Sequence, residues 1–155
     1  MSEATNAATV LLVTAGLRTC AVPVDHVLET MRPLPVDAIA GLPAAVRGVA
    51  LIRGTPVPVV DLARLLGDAR DHAHGRFVTL KLGERSAALA VSTVSGVQRL
   101  DLQRMQQLPP LLRDTESELI EAIGISDAQL MLVLRAARIV PDGAWDGIAM
   151  GAGAR

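Results

Sequence analysis

Several groups of residues in this chain carry side chains that could do chemistry. His72 and His74 are spaced as His-x-His in the segment DHAHGR, with Asp68 and Asp71 beside them. That donor set is one a divalent metal ion accepts. The segment also joins two apolar stretches, where a solvated polar linker belongs, and the linker is the reading its surroundings favour. Cys20 and His26 share a short segment and could form a thiol–imidazole nucleophile pair. Cys20, however, stands between Thr19 and Ala21 inside a strand-like run, the place of a small buried hydrophobe. Asp61 in PVVDLARLL precedes a short helical pattern that stops at Gly67, which is a cap-and-stop pair. No phosphate loop, dinucleotide glycine fingerprint or Gly-x-Ser-x-Gly elbow is present. No catalytic residue, metal or cofactor is assigned.

Arg53 and Gly54 are of another kind. They separate the apolar runs VRGVALI and VPVV. Val57 and Val59 point to one side of the second run and Pro58 and Val60 to the other, so it is expected to be covered on both faces. Pro56 and Pro58 donate no backbone hydrogen bond, which predicts an edge strand or a bulge. Edges are where partners dock. An Arg at the tip of such a hairpin is either a solvated turn residue or an interface anchor, with a stem that packs on apolar surface and a head of five donors.

The elements that must position these residues follow from composition and pattern. The chain has 155 residues, half of them hydrophobic, which suits one domain or two small intertwined lobes. With one Phe, one Trp and no Tyr it lacks the rings for base stacking or an aromatic pocket. A net charge of −1 gives no basic field for nucleic acid. A single cysteine rules out an internal disulfide and fits a reducing compartment. No apolar run approaches the ~18 residues of a membrane span, and MSEATNAATV lacks the features of a signal peptide. A cytoplasmic protein without membrane insertion is expected.

Period-2 runs bounded by Gly and Pro predict strands at 9–15, 19–24, 27–32, 47–52, 56–60, 76–82, 86–91, 96–101, 120–125 and 129–134. Short helices are predicted at 61–66, 115–119 and 135–140. Many short strands at close spacing favour small barrels. The pattern also repeats. GLRTCAVPVDHVLETM at 16–31 matches GERSAALAVSTVSGVQ at an offset of 67, and VPVVDLARLL at 57–66 matches MLVLRAARIV at an offset of 74. The offset grows because the second half carries extra loop around 108–116. Two lobe-forming halves, about 9–68 and 76–140, are expected within one domain at 8–140, followed by a flexible tail at 141–155.

GLPAAVRGVALIRGTPVPVVDLARLL resembles the core signature of the CheW-like domain family, at Pro43, Gly48, Val49, Arg53, Gly54, Pro58, Val59, Asp61 and Leu62. CAVPVDHVLETM is similar to a second family segment at Pro23, Val24, Val27 and Glu29. The resemblance implies a mainly β fold, two interlocked five-stranded SH3-like β-barrels with short helices. It implies a non-enzymatic adaptor joining a CheA-type histidine kinase regulatory domain to the cytoplasmic tips of chemoreceptors, in arrays at the inner membrane. Arg53, Gly54, Thr55 and Val57 would then bind the kinase. Val27 and Glu29, with Val94 and Val97 by lobe pairing, would border the receptor groove. The chain departs from the family pattern at Leu51 (Asn in the family), Ile52 (Leu), Ser92 (Asp), Arg135 (Asp) and Cys20 (an aromatic). Those departures keep in view a scaffold for a pilus or other non-flagellar pathway; an unrelated small-ligand or metal-binding β-barrel, with His72 and His74, is the other alternative.

Overall fold

Ten strands form where the apolar runs lie between Gly and Pro turns. The computed structural model describes residues 7–101, 105, 119–126, 129–141 and 144–145. The strands are β1 (Ala7–Ala15), β2 (Arg18–Pro23), β3 (Val27–Met31), β4 (Val46–Ile52), β5 (Thr55–Asp61), β6 (Arg76–Leu82), β7 (Arg85–Val91), β8 (Thr93–Asp101), β9 (Ile120–Ser126) and β10 (Gln129–Leu134). One α-turn, α1 (Leu62–Leu65), follows β5, and a 3₁₀ turn at Ala136–Arg138 follows β10 in the same way. The helix expected at 135–140 is thus a single tight turn. Most of the helix expected at 115–119, and the loop around 108–116, lie outside the described residues.

The strands make two five-stranded sheets, ordered β8-β1-β2-β10-β9 and β3-β6-β7-β5-β4. Matching β1–β5 with β6–β10 in turn converts the first order into the second. The registers match too. Val59 pairs with Ala88 in one sheet. Adding 74 to the first and subtracting 67 from the second gives Val133 and Ala21, which pair in the other. The irregularity between Val46 and Gly48 on β4 has its image between Ile120 and Ala122 on β9, opposite Leu134 and Val133. Asp61 N–H donates to the Ala45 carbonyl at 2.7 Å, and Arg135 N–H donates to the Leu119 carbonyl at 2.6 Å. The same two offsets, 67 and 74, thus relate one sheet to the other.

Each half supplies strands to both sheets. The chain leaves the first sheet after β2, turns through a 3₁₀ step at Val24–His26 and enters the second as β3; it returns after β7 as β8. The sheets interlock because each keeps a core of its own and both share a third. Ala50, Ile52, Val57, Val59, Phe77, Ala88 and Ala90 pack inside the β3–β4 sheet. Val10, Ala21, Leu100, Met131 and Val133 pack inside the other. Val13, Val22, Val60, Leu62, Leu80, Leu89 and Leu134, from both sheets, form the shared core. Consecutive residues of β5 divide between cores: Val59 enters one and Val60 the other. That is why an unbroken apolar run suits it.

The edge expected for β5 falls elsewhere. β5 lies between β7 and β4. Its parallel ladder to β7 spans only Val59–Asp61, so Pro56 and Pro58 precede the bonds they could not make. The bulge lies opposite, on β4. There Gly48 takes φ +146°, and a Cβ would stand 2.1 Å from the Asp37 carbonyl oxygen. Only glycine lets residues around Asp37 bridge to Val49 and cover the β4 edge.

Described residues also lie past the expected boundary at 140. Ala144 is fully buried. Trp145 packs against the shared core, with the Arg85 guanidinium 5.0 Å from its ring centre.

Cys20 belongs to the shared core and is 0% exposed. Burial pushes its thiol up from an ordinary 9.0 to about 12, against a small opposing pull from Arg18. We expect the native protein to resist an aromatic disulfide reagent at pH 8 and to react stoichiometrically in denaturant; fast native labelling would contradict this burial. The unfolded thiol loses its proton first, so this group costs stability only as pH rises above about 9.

Candidate functional site

The β4–β5 hairpin closes on two consecutive left-handed residues, Arg53 at φ +52° and Gly54 at φ +81°. That is the pairing a two-residue hairpin turn of the twist-matched type demands. Gly54 takes it freely. Arg53 takes it at a conformational cost of about 1 kcal/mol. A non-glycine residue is held there with its side chain 76% exposed, a strained backbone position at the tip of the hairpin.

Arg53 grips Glu29 on β3. Its Nε–H donates to Oε2 at 3.2 Å, and its NH2 donates to Oε2 at 2.7 Å and to Oε1 at 3.0 Å. The Glu29 backbone is fixed in turn: its N–H donates to Thr79 Oγ1, and that hydroxyl donates to the Glu29 carbonyl, both at 3.2 Å. The Arg53 side chain is 76% exposed and that of Glu29 35%. An exposed pair of this sort adds about 0–1 kcal/mol to stability. Its bidentate geometry does something else, orienting both groups at one surface. Leu51, on the same hairpin, is 66% exposed, and Leu28, beside Glu29, is 54% exposed. β3 and the β4–β5 hairpin, which carry the ion pair, thus each also carry an exposed leucine.

The remaining expected site residues fall as follows. Thr55 is exposed beside the turn. Val57 is 4% exposed and packs inside the β3–β4 sheet; it supports the hairpin from within and offers a partner nothing to touch. Val27 and Val94 occupy images of one another, paired with Leu80 and Val13 respectively, and both press on the shared core. They lie on β3 and β8, the end strand of each sheet. Val97, also on β8, is 65% exposed. Glu29 joins Arg53 rather than standing only with the valines, so the two expected sets meet at one place. Leu28 and Thr79 are not among the expected site residues, and Leu51 enters the sequence reading only as a departure from the family pattern; alternation on β3 is the signal that points to Leu28.

The candidates for chemistry disperse. His72 Nε2 lies 2.7 Å from Asp68 Oδ2. His74 Nε2 lies 3.1 Å from Asp61 Oδ2 but off the line a hydrogen bond needs. Each imidazole faces its own carboxylate, and among the described residues no three His, Cys, Asp or Glu side chains converge on a metal position. Hydrogen bonds from the Arg70 side chain and backbone, then from His72, hold the Asp68 carboxyl well below the usual range. His26 Nδ1 lies 3.3 Å from the Lys81 carbonyl, and Cys20 is in the core. Asp61 caps α1, accepting from Arg64 N–H at 3.3 Å, and accepts from Arg47 at 3.2 Å. Asp61→Ala is expected to cost about 1–3 kcal/mol, because it leaves the cap and Arg47 without their acceptor. Denaturant unfolding checks this, and an unchanged midpoint would contradict it.

A family model described as CheW-like domain matches residues 9–143. The chain is 31% identical over 113 residues to Protein FrzA of Myxococcus xanthus, an alignment covering 69% of this chain and 70% of that one. Among solved structures it is similar to the scaffolding protein TtCheW from Thermoanaerobacter tengcongensis, with a TM-score of 0.76, 18% identity, and 88% of this chain and 94% of that one covered. The last likeness extends to the paired five-stranded, SH3-like β architecture.

Proposed function

The chain belongs to the CheW-like domain family, whose members are scaffolds and adaptors of chemotaxis signalling, and from that premise we propose that it couples a CheA-type histidine kinase to chemoreceptor tips without catalysing a reaction. The observation that carries this reading is the exposed Arg53–Glu29 pair, held bidentate on a strained turn whose stability gains little from it. The β4–β5 tip, with Arg53, Gly54 and Thr55, docks on the kinase regulatory domain. The end strands β3 and β8, with Val27, Val94 and Val97, receive a receptor helix that presents apolar anchors at i, i+3 and i+4. Among the described residues no helix is long and apolar enough to cross a membrane. We place the protein in the cytoplasm, at inner-membrane receptor arrays.

Leu51 favours a second reading. It puts an exposed apolar side chain where the family carries Asn, beside the docking arginine. A docking surface altered in this way suits a divergent scaffold of a pilus or other non-flagellar pathway.

The test is a three-component size-exclusion experiment with the chain, a CheA-type regulatory domain and a soluble receptor-tip hairpin from the same genome. Co-elution of kinase and receptor fragments only when the chain is present supports coupling. Independent elution of all three contradicts it.

A further inference from the structure

The duplication leaves one position filled in one half and open in the other. After the 3₁₀ turn at 136–138 the chain runs on to Trp145, and the Arg85 guanidinium lies over its ring at 5.0 Å. The images of these residues are Asp71 and Arg18, by the offsets of 74 and 67. Asp71 does not fill the place. It is drawn to Arg64, whose NH2 donates to its Oδ1 at 2.9 Å.

What remains beside Arg18 is an open cleft of about 660 Å³. Its apolar lining comes from Leu17, Leu66, Leu130 and Leu132. Leu17 is 84% exposed and Leu130 63%. Arg18 has no carboxylate partner among the described residues. The Asp68 carboxylate also lines the cleft, but it already accepts from Arg70 at 3.0 and 3.1 Å and lies 2.7 Å from His72 Nε2.

We propose that this cleft binds an aromatic side chain with an adjacent carboxylate, presented by a partner protein. The apolar lining takes the ring. The planar Arg18 guanidinium covers the ring by its face, as Arg85 covers Trp145, and its edge N–H groups pair with the carboxylate. The site is separate from the Arg53 hairpin and does not depend on the adaptor assignment.

The test is an amide-shift titration of the full chain with N-acetyl-tryptophan, using N-acetyl-tryptophanamide and N-acetyl-leucine for comparison. Saturable shifts at Arg18, Gly67 and Leu130 are expected. The amide, lacking the carboxylate, should bind up to ~5-fold more weakly. Arg18→Ser and Leu130→Asp should each weaken the probe ~5-fold or more with melting unchanged, since both positions are exposed. Equal binding of N-acetyl-leucine, shifts confined to other residues, or shifts indifferent to Leu130→Asp would overturn the proposal. So would a sedimenting dimer that Leu130→Asp dissolves, because a second copy would then be the occupant.

Discussion

Arg53→Glu is expected to weaken binding to the kinase regulatory domain by at least ~30-fold, or ~2 kcal/mol, the loss typical of a central arginine anchor. The substitution removes five donors from the hairpin tip and sets a like charge against Glu29. The fold should survive it. Arg53 is exposed and Glu29 half-buried, and ion pairs this open to solvent contribute little to stability. Thermal midpoints of the variant and the parent should therefore agree within a few degrees, with affinity measured by calorimetry. The double variant Arg53→Glu with Glu29→Arg separates two roles for Arg53. It rebuilds an ion pair with the charges exchanged. Recovered affinity would mean that Arg53 acts only by holding β3; continued loss would mean that the guanidinium itself meets the kinase, which is the expected result.

The largest effect on stability is expected from Leu89→Ala, at about 2–5 kcal/mol. Leu89 is fully buried in the shared core. It is flanked within its sheet by Val60 on β5 and Val78 on β6. A cavity there faces side chains from both sheets, so neither sheet can relax alone. Unfolding should remain one cooperative transition with an unchanged denaturant slope and a lowered midpoint. Two separated transitions, one for each sheet, would contradict the interlocked core.

The strands were legible because their sequence grammar is local. Runs of Val, Leu and Ala end at Gly16, at Arg53-Gly54 and at Gly83, each a turn with positive φ. The burial of Val57–Val60 on both faces of β5 was legible from the unbroken apolar run. The Asp61 cap was legible from the break in pattern that follows it. What could not be read was how the halves exchange. An offset of 67 or 74 shows that two segments are alike; it does not say which sheet each joins. The exchange depends on the crossings after β2 and β7, which place β3 and β8 in the opposite sheets.

The same limit hid the centre of the candidate site. Arg53 and Glu29 were both singled out, but on separate surfaces, because 24 residues divide them in sequence and only the curl of the sheet brings β3 to the β4–β5 turn. Val57 stands near Arg53 in sequence. The pleat turns it into the core instead. Pro56 and Pro58 pointed to an edge, whereas a strand can lie inside a sheet and leave part of its length unpaired on one side. The cleft beside Arg18 has no local sequence signal; it shows only when the two halves are superposed and one lacks the other's tryptophan.

The most direct test is calorimetric titration of the purified chain with the regulatory domain of a CheA-type kinase encoded in the same genome. Binding with a dissociation constant of about a micromolar or tighter, equivalent to roughly −8 kcal/mol, is the expected result. No heat and no complex with any such kinase would contradict the adaptor assignment, and would mean that this duplicated fold serves a different partner.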